Sequence, residues 1–261
     1  MKRSAGLWVR RFRGRPPSLV ALHGFTQTGA MFGELAQLLG NEVLGPDLPG
    51  HGGSSELPTS FPSAVTGVGE VLAARGGPAP LLGYSQGGRV ALAVALERPE
   101  LVSHLVLVSA GVGIESEVQR GERCRLDEAL AVELTTGGLG AFLDRWLAQA
   151  MFEGLERRGE HWRAADRATR LENTADGLAD ALVGMGQGAQ PYYGDRLGDL
   201  QIPVLVIAGG RDGKYASIAT AMTRSLPHGE LRIIAEAGHA VIGEQPRVVA
   251  DLVAGFLTGS G

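Results

Sequence analysis

The stretch that most constrains the fold is Leu81-Leu82-Gly83-Tyr84-Ser85-Gln86-Gly87-Gly88-Arg89-Val90-Ala91-Leu92. A short apolar run reaches a glycine, one serine stands between small turn residues, and an amphipathic helical pattern starts at once. That order reads as strand, sharp turn, helix. Side chains at Gly83 and Gly87 would collide where strand and helix nearly touch, so glycine is needed on both sides and the Ser85 hydroxyl is left above the sheet edge. Ser85 is therefore a candidate nucleophile or base. With 40 glycines in 261 residues, a Gly-x-Ser-x-Gly match gains its weight from context. Here the context is a buried strand over 80–82 and a buried helix face over 90–96.

A chain of 261 residues with 44% hydrophobic content can bury a full core and fits one large α/β domain with room for an insertion. The net charge of −4 and 20% charged residues give no global basic field for nucleic acid. Only the first fifteen residues are basic, and Lys2, Arg3, Arg10, Arg11, Arg13 and Arg15 read as a solvated edge hairpin. Cys124 is the single cysteine, so no intrachain disulfide can form, and a reducing compartment and a packing role are expected. No apolar run approaches a membrane span, and Leu7-Trp8-Val9 is too short for a signal core. The expectation is a soluble, cytoplasmic protein without nucleic-acid or membrane partners.

Strand-like runs at 18–22, 42–44, 80–82, 104–109, 202–208 and 230–234 alternate with helical patterns at 31–39, 63–75, 90–96, 216–226 and 245–257. Short alternation of this kind predicts βαβ units and a mostly parallel sheet flanked by helices. Ser63 is read as the cap of its helix, and Pro246 occupies the first turn of the last one. From 111 to 190 charges and helix formers dominate and strand runs vanish, which predicts a helical cap over a core made of 1–110 and 191–261. Trp146, Met151, Phe152 and Trp162 would face the pocket or the core, and Gly184-Met185-Gly186-Gln187-Gly188 reads as a candidate hinge.

Loops after the strands carry the chemistry, because ligands bind at the carboxyl edge of parallel sheets. The first is His23-Gly24-Phe25-Thr26-Gln27-Thr28-Gly29, where the N–H of Phe25 can pair with that of Gln86 as an oxyanion hole. His23 reads as the ring that holds this loop. Asp47 and His51, in a loop rich in proline and glycine, read as backbone ties. Asp212 follows the penultimate strand and His239 the last. A hydroxyl is a poor base or nucleophile at neutral pH, so an imidazole must take its proton and a carboxylate must fix the imidazole's tautomer. His239 and Asp212 fill those roles, in the chain order Ser, acid, His.

These residues resemble the α/β-hydrolase superfamily and, within it, the 2-succinyl-6-hydroxy-2,4-cyclohexadiene-1-carboxylate synthase family of menaquinone biosynthesis. The resemblance is carried by Leu22–Gly29, Gly83–Arg89, Phe142 with Trp146 and Gln149, Gly209–Tyr215 and Ala237–Ala240, and it spans nearly the whole chain. It implies an α/β-hydrolase fold with a helical cap. It also implies elimination of pyruvate from an anionic cyclohexene of several carboxylates, with triad-activated Ser85 as general base and neither metal nor organic cofactor. Substrate contacts would come from Tyr84, Arg89, Arg123, Trp146 and Arg170. Chemistry independently singles out Arg89, one helical turn past Ser85, because a guanidinium there is costly to desolvate unless an anion meets it. Arg120, Arg125 and Arg167 compete with Arg123 and Arg170 under slightly different alignments, and Trp146 could equally pack the lid. Two departures stand out: Gln86 replaces an expected Met or Leu, and Gly210 an expected acid. A serine hydrolase acting on esters or carbon–carbon bonds would share every triad and oxyanion residue. A non-catalytic binding protein of the same fold is a third reading.

Overall fold

The computed structural model describes residues 2–4 and 6–259. Strands Lys2–Ser4 (β1), Leu7–Phe12 (β2), Arg15–Leu22 (β3), Asn41–Pro46 (β4), Ala79–Tyr84 (β5), Val102–Val108 (β6), Val204–Gly209 (β7) and Gly229–Ile234 (β8) form one sheet in the order β1-β2-β4-β3-β5-β6-β7-β8. Only the β1–β2 and β2–β4 pairs are antiparallel; from β4 through β8 every neighbour is parallel. This is the mostly parallel sheet flanked by helices that the alternating runs predicted, with the cap insertion that the α/β-hydrolase resemblance implied.

Strand residues alternate between two cores, as the two-residue period of a pleated strand requires. Leu81, Leu105, Leu107, Val204 and Val206 face helices Phe61–Ala73 and Gln86–Glu97, while Leu82, Val106, Val108, Leu205 and Ile207 face Gly33–Leu39 and Pro246–Thr258. Because both faces are covered, β5 and β7 are buried along their whole length and read as unbroken apolar runs. In chain order the helices are Gly33–Leu39 (α1), Phe61–Ala73 (α2), Gln86–Glu97 (α3), Glu117–Gly137 (α4), Leu139–Leu147 (α5), Gly159–Arg170 (α6), Ala175–Met185 (α7), Gly213–Arg224 (α8), Val241–Glu244 (α9) and Pro246–Thr258 (α10). Helices α4 to α7, with a 3₁₀ run at Ala150–Arg158, lie between β6 and β7 and carry a small apolar cluster of their own around Leu134, Phe142, Leu178 and Leu182. Among the described residues no helix is long and apolar enough to cross a membrane.

Two local expectations are corrected. Helix α2 is capped by Ser60 rather than Ser63: the Ser60 hydroxyl accepts the Ser63 N–H at 3.2 Å, and the Ser63 hydroxyl accepts the Ser60 N–H at 2.9 Å. This reciprocal box satisfies two donors that a helix start would otherwise leave open. The glycines at 184–188 serve close packing, not a hinge. A Cβ on Gly184 would stand 1.9 Å from the Thr59 carbonyl oxygen, one on Gly186 2.3 Å from Asp127 Oδ2 and one on Gly188 2.6 Å from Cys124 Sγ. The basic hairpin is the solvated edge hairpin read from the sequence, with β1 and β2 antiparallel at the edge of the sheet and Arg11, Arg13 and Arg15 exposed, while the side chains of Lys2 and Arg3 lie outside the described residues. Leu7 and Val9 are buried, Arg10 pairs with Asp47 and Glu172, and Arg11 with Glu42.

Candidate active site

Ser85 joins β5 to α3 at φ 52°, ψ −111°, a left-handed conformation that costs a non-glycine residue about 1–3 kcal/mol and persists where the surroundings impose it. They do so here. The Ser85 N–H donates to the Val108 carbonyl at 2.8 Å, and the Ser85 carbonyl accepts the Arg89 N–H at 3.1 Å. A Cβ on Gly83 would stand 2.4 Å from the Gly87 carbonyl oxygen, and one on Gly87 2.3 Å from that of Leu22. Strand and helix approach as closely as the glycine spacing required.

The loops after β7 and β8 bring Asp212 and His239 to this turn. His239 Nε2 lies 3.0 Å from Ser85 Oγ, and Nδ1 lies 2.8 Å from Asp212 Oδ2. Asp212 Oδ1 accepts the Tyr215 N–H at 3.2 Å. Burial alone would push the Asp212 carboxyl up; hydrogen bonds from His239 and the Tyr215 N–H, with the Lys214 charge nearby, outweigh it and hold the group below its usual range. An ionised carboxylate only accepts, so the shared proton belongs to Nδ1, and the Nε2 lone pair faces the Ser85 hydroxyl. Chemically, this arrangement can draw a proton from the hydroxyl.

All site residues named from the sequence line one cavity of about 540 Å³. Gln86 is the first residue of α3, where an N–H has no acceptor within its own helix. Phe25 sits in the loop after β3, its ring edge-on to Trp146 at 5.2 Å and to Phe142 at 6.3 Å. Tyr84 is buried, which pushes its phenol well up, and its ring lies 5.7 Å from that of His239. Arg123 binds Asp127 Oδ1 through Nε at 2.9 Å and Nη2 at 2.8 Å. Arg170 binds Asp166 at 2.7 Å through Nε and the Thr26 hydroxyl through Nη1. Their competitors Arg120, Arg125 and Arg167 do not line the cavity; Arg120 pairs with Glu117 and Arg167 with Asp144.

Arg89 is only 7% exposed, and among the described residues no carboxylate stands within ion-pair distance of it. Instead Nη1 donates to the Gly186 carbonyl at 3.0 Å and Nη2 to that of Met185 at 2.9 Å, at the negative end of the α7 dipole. Burial lowers its pKa to about 10, which leaves it charged at neutral pH.

The supporting loops behave as read. His23 places Nδ1 2.9 Å from the Gly24 carbonyl and accepts the Leu48 N–H on Nε2 at 2.9 Å. Asp47 accepts the N–H groups of Gly29 and Gly53 at 2.7 and 3.0 Å, and His51 Nδ1 lies 3.0 Å from the Pro49 carbonyl. Among the described residues no group of three or more His, Cys, Asp or Glu side chains is arranged to hold a metal ion.

A family described as the alpha/beta hydrolase family matches residues 19–252. The chain belongs to the alpha/beta hydrolase family. It is 35% identical over 248 residues to a provisionally named 2-succinyl-6-hydroxy-2,4-cyclohexadiene-1-carboxylate synthase of Bacillus subtilis, covering 92% of this chain and 90% of that one. It is 31% identical over 264 residues to the synthase of that name from Salmonella agona, covering 96% and 98%. The solved structure of MenH from S. aureus matches with a TM-score of 0.91 at 29% identity, over 97% of this chain and 98% of that one.

Sequence reasoning missed several residues of this alpha/beta hydrolase's cavity. Tyr215, its ring 4.5 Å from that of His239, and Lys214 line it from the loop that carries Asp212. Both lie inside the Gly209–Tyr215 motif, so the signal was present. Asp127 follows Arg123 by one helical turn, a spacing that pairs an acid with a base and could have found it. Phe152, its ring 6.1 Å from that of His239, and Met151 line the cavity as the reading of the cap's apolar residues expected.

Proposed function

We propose that this alpha/beta hydrolase is a carbon–oxygen lyase that eliminates pyruvate from an enolpyruvyl cyclohexene bearing several carboxylates, giving 2-succinyl-6-hydroxy-2,4-cyclohexadiene-1-carboxylate in menaquinone biosynthesis. The observation that carries the reading is that three guanidiniums, Arg89, Arg123 and Arg170, line the same cavity as the hydrogen-bonded Ser85 and His239. An esterase cavity needs a nucleophile and oxyanion donors. Three cations around them suit a guest with several negative charges.

His239, held in the Nδ1–H tautomer by Asp212, takes the Ser85 proton as Ser85 Oγ removes a ring proton next to the succinyl ketone. The electrons of the broken C–H bond pass into the ring as a new double bond, and the C–O bond to the side chain breaks. Charge that builds on the ketone oxygen is met by the N–H groups of Phe25 and Gln86. Enolpyruvate leaves and, on taking back a proton, becomes pyruvate. Tyr84 and Trp146 wall the ring in. Residues 111–190 act as a cap that brings Arg123, Trp146 and Arg170 over the core formed by 1–110 and 191–261.

The purified protein is given the enolpyruvyl substrate and, separately, a short-chain nitrophenyl ester. Release of pyruvate that Ser85→Ala abolishes, with little ester turnover, supports the lyase. Fast ester turnover without pyruvate assigns the same residues to a serine hydrolase and ends the lyase reading. If neither reaction occurs, both give way to a binding role.

A further inference from the structure

His239 stands in a loop with no strand ladder to hold it, since β8 ends at Ile234 and α9 begins at Val241. Its backbone is fixed from three sides. The His239 carbonyl accepts from Ser109 Oγ at 3.0 Å, and the His239 N–H donates to the Met151 carbonyl at 3.2 Å. The Gly238 N–H is shared by both carboxylate oxygens of Glu244, at 3.1 and 2.9 Å.

The third anchor is the unusual one. The Glu244 side chain is 1% exposed, although a carboxylate is costly to bury and a neutral group could accept one N–H. Room has been made for it across the fold: a Cβ on Gly154 would stand 1.7 Å from Glu244 Oε2. Three residues on, Arg157 brings Nη2 to 3.5 Å from the same oxygen and donates to the Glu236 carbonyl at 2.9 Å, in the same loop. Neither Glu244 nor Gly154 lines the cavity that holds Ser85. From Glu244, influence on the reaction passes through the loop; from Gly154 it can also pass along the 3₁₀ run to Met151 and Phe152, which line the cavity, so the Glu244 variants separate the two routes.

We propose that Glu244, housed by Gly154 and charge-paired with Arg157, is the positioning residue for His239. A charged acceptor binds an N–H more strongly than a neutral one, and here it grips the residue just before the imidazole. It sets where Nε2 falls relative to Ser85 Oγ, a geometry in which an error of about 1 Å can cost on the order of 10²-fold in rate. The inference rests on reading Ser85 and His239 as the reacting pair.

The test compares Glu244→Gln, Glu244→Ala and Gly154→Ala in the full chain. Gly154 lies in a helical turn outside the left-handed region, so alanine there would by backbone preference be neutral or stabilising. Its methyl group nevertheless occupies the space of the carboxylate. Expected are kcat values for pyruvate release about tenfold to a hundredfold lower in Gly154→Ala and Glu244→Ala, with KM within about twofold of the parent and Glu244→Gln intermediate. The downfield proton signal of the His239–Asp212 hydrogen bond should broaden in the same order. Parental kcat and proton signal in Gly154→Ala and Glu244→Gln would overturn the proposal, as would a joint change in kcat, KM and melting temperature, which marks a general packing defect. A parent protein that releases no pyruvate would instead defeat the lyase reading, and the proton signal would still test the positioning of His239.

Discussion

Acidification should destabilise the protein through two histidines buried beneath the loops. His23 and His51 are both fully buried, with their rings 4.8 Å apart. Burial pushes His23 down to about 4, and burial together with the neighbouring His23 pushes His51 to about 3, against 6.5 for a free imidazole. The hydrogen bonds demand the same neutral state, since the Leu48 N–H needs a lone pair on His23 Nε2. Because the folded values lie below the unfolded one, the unfolded chain binds the extra protons. Stability is therefore level above about pH 7 and falls as pH drops toward 4. At pH 5 the unfolded rings are charged and the folded ones are not, which costs about 2 kcal/mol for each ring and about 4 kcal/mol for the pair. Urea unfolding followed by tryptophan fluorescence at pH 8 and pH 5 should show the midpoint falling by about 1 M. His23→Gln keeps an acceptor for Leu48 and should remove about half of that slope while leaving kcat near the parental value. A midpoint that does not move between the two pH values would refute the assignment of both rings as neutral struts, and a His23→Gln protein without activity would make His23 part of the chemistry.

Two further outcomes follow from the same contacts. Arg89→Met removes the donors to the Met185 and Gly186 carbonyls and a cation from the cavity wall. Losing one charged hydrogen bond to a carboxylate, worth about 1.5–3 kcal/mol, should lower kcat/KM for the anionic substrate about tenfold to a hundredfold in steady-state assays and leave turnover of a neutral ester unchanged. Equal losses on both substrates would show that Arg89 only braces α7. Gly87→Ala drives a methyl group into the Leu22 and His23 carbonyls, rigid backbone at the end of β3, and should cost about 1–3 kcal/mol or more in denaturant titrations. Gly121→Ala in α4, where a Cβ meets nothing within 4 Å, should gain up to about 1 kcal/mol. If the two variants shift stability alike, close packing is not what fixes glycine at the turn.

How far the site can be read from the chain depends on how far away each residue's partner lies. The turn at Ser85 was legible because part of its requirement is local: the clash that excludes a side chain at Gly83 comes from Gly87 and Gly88, a few residues on, although the one at Gly87 comes from Leu22 and His23 at the end of β3. The sheet was legible because β5, β6 and β7 are covered on both faces, so their apolar runs are nearly unbroken. Helix α4 offered no such guide. It buries only Asp127, Ala131 and Leu134, too few to set its rotation, so Arg120, Arg123 and Arg125 looked equivalent until Asp127 and the cavity picked out Arg123. Even Ser60 and Ser63 could not be told apart as caps, since each accepts the other's N–H. Arg89 was legible in kind but not in partner, because the carbonyls it binds belong to residues 185 and 186, on a helix that reaches it only through the tertiary fold. Glu244 shows the same limit from the other side. An acid five residues after His239 has no pattern to mark it, and the glycine that makes room for it stands at 154, beyond the reach of any local rule. Candidate reactive groups are set by short motifs at strand ends; the contacts that aim and surround them are made between distant segments, and those only the folded chain displays.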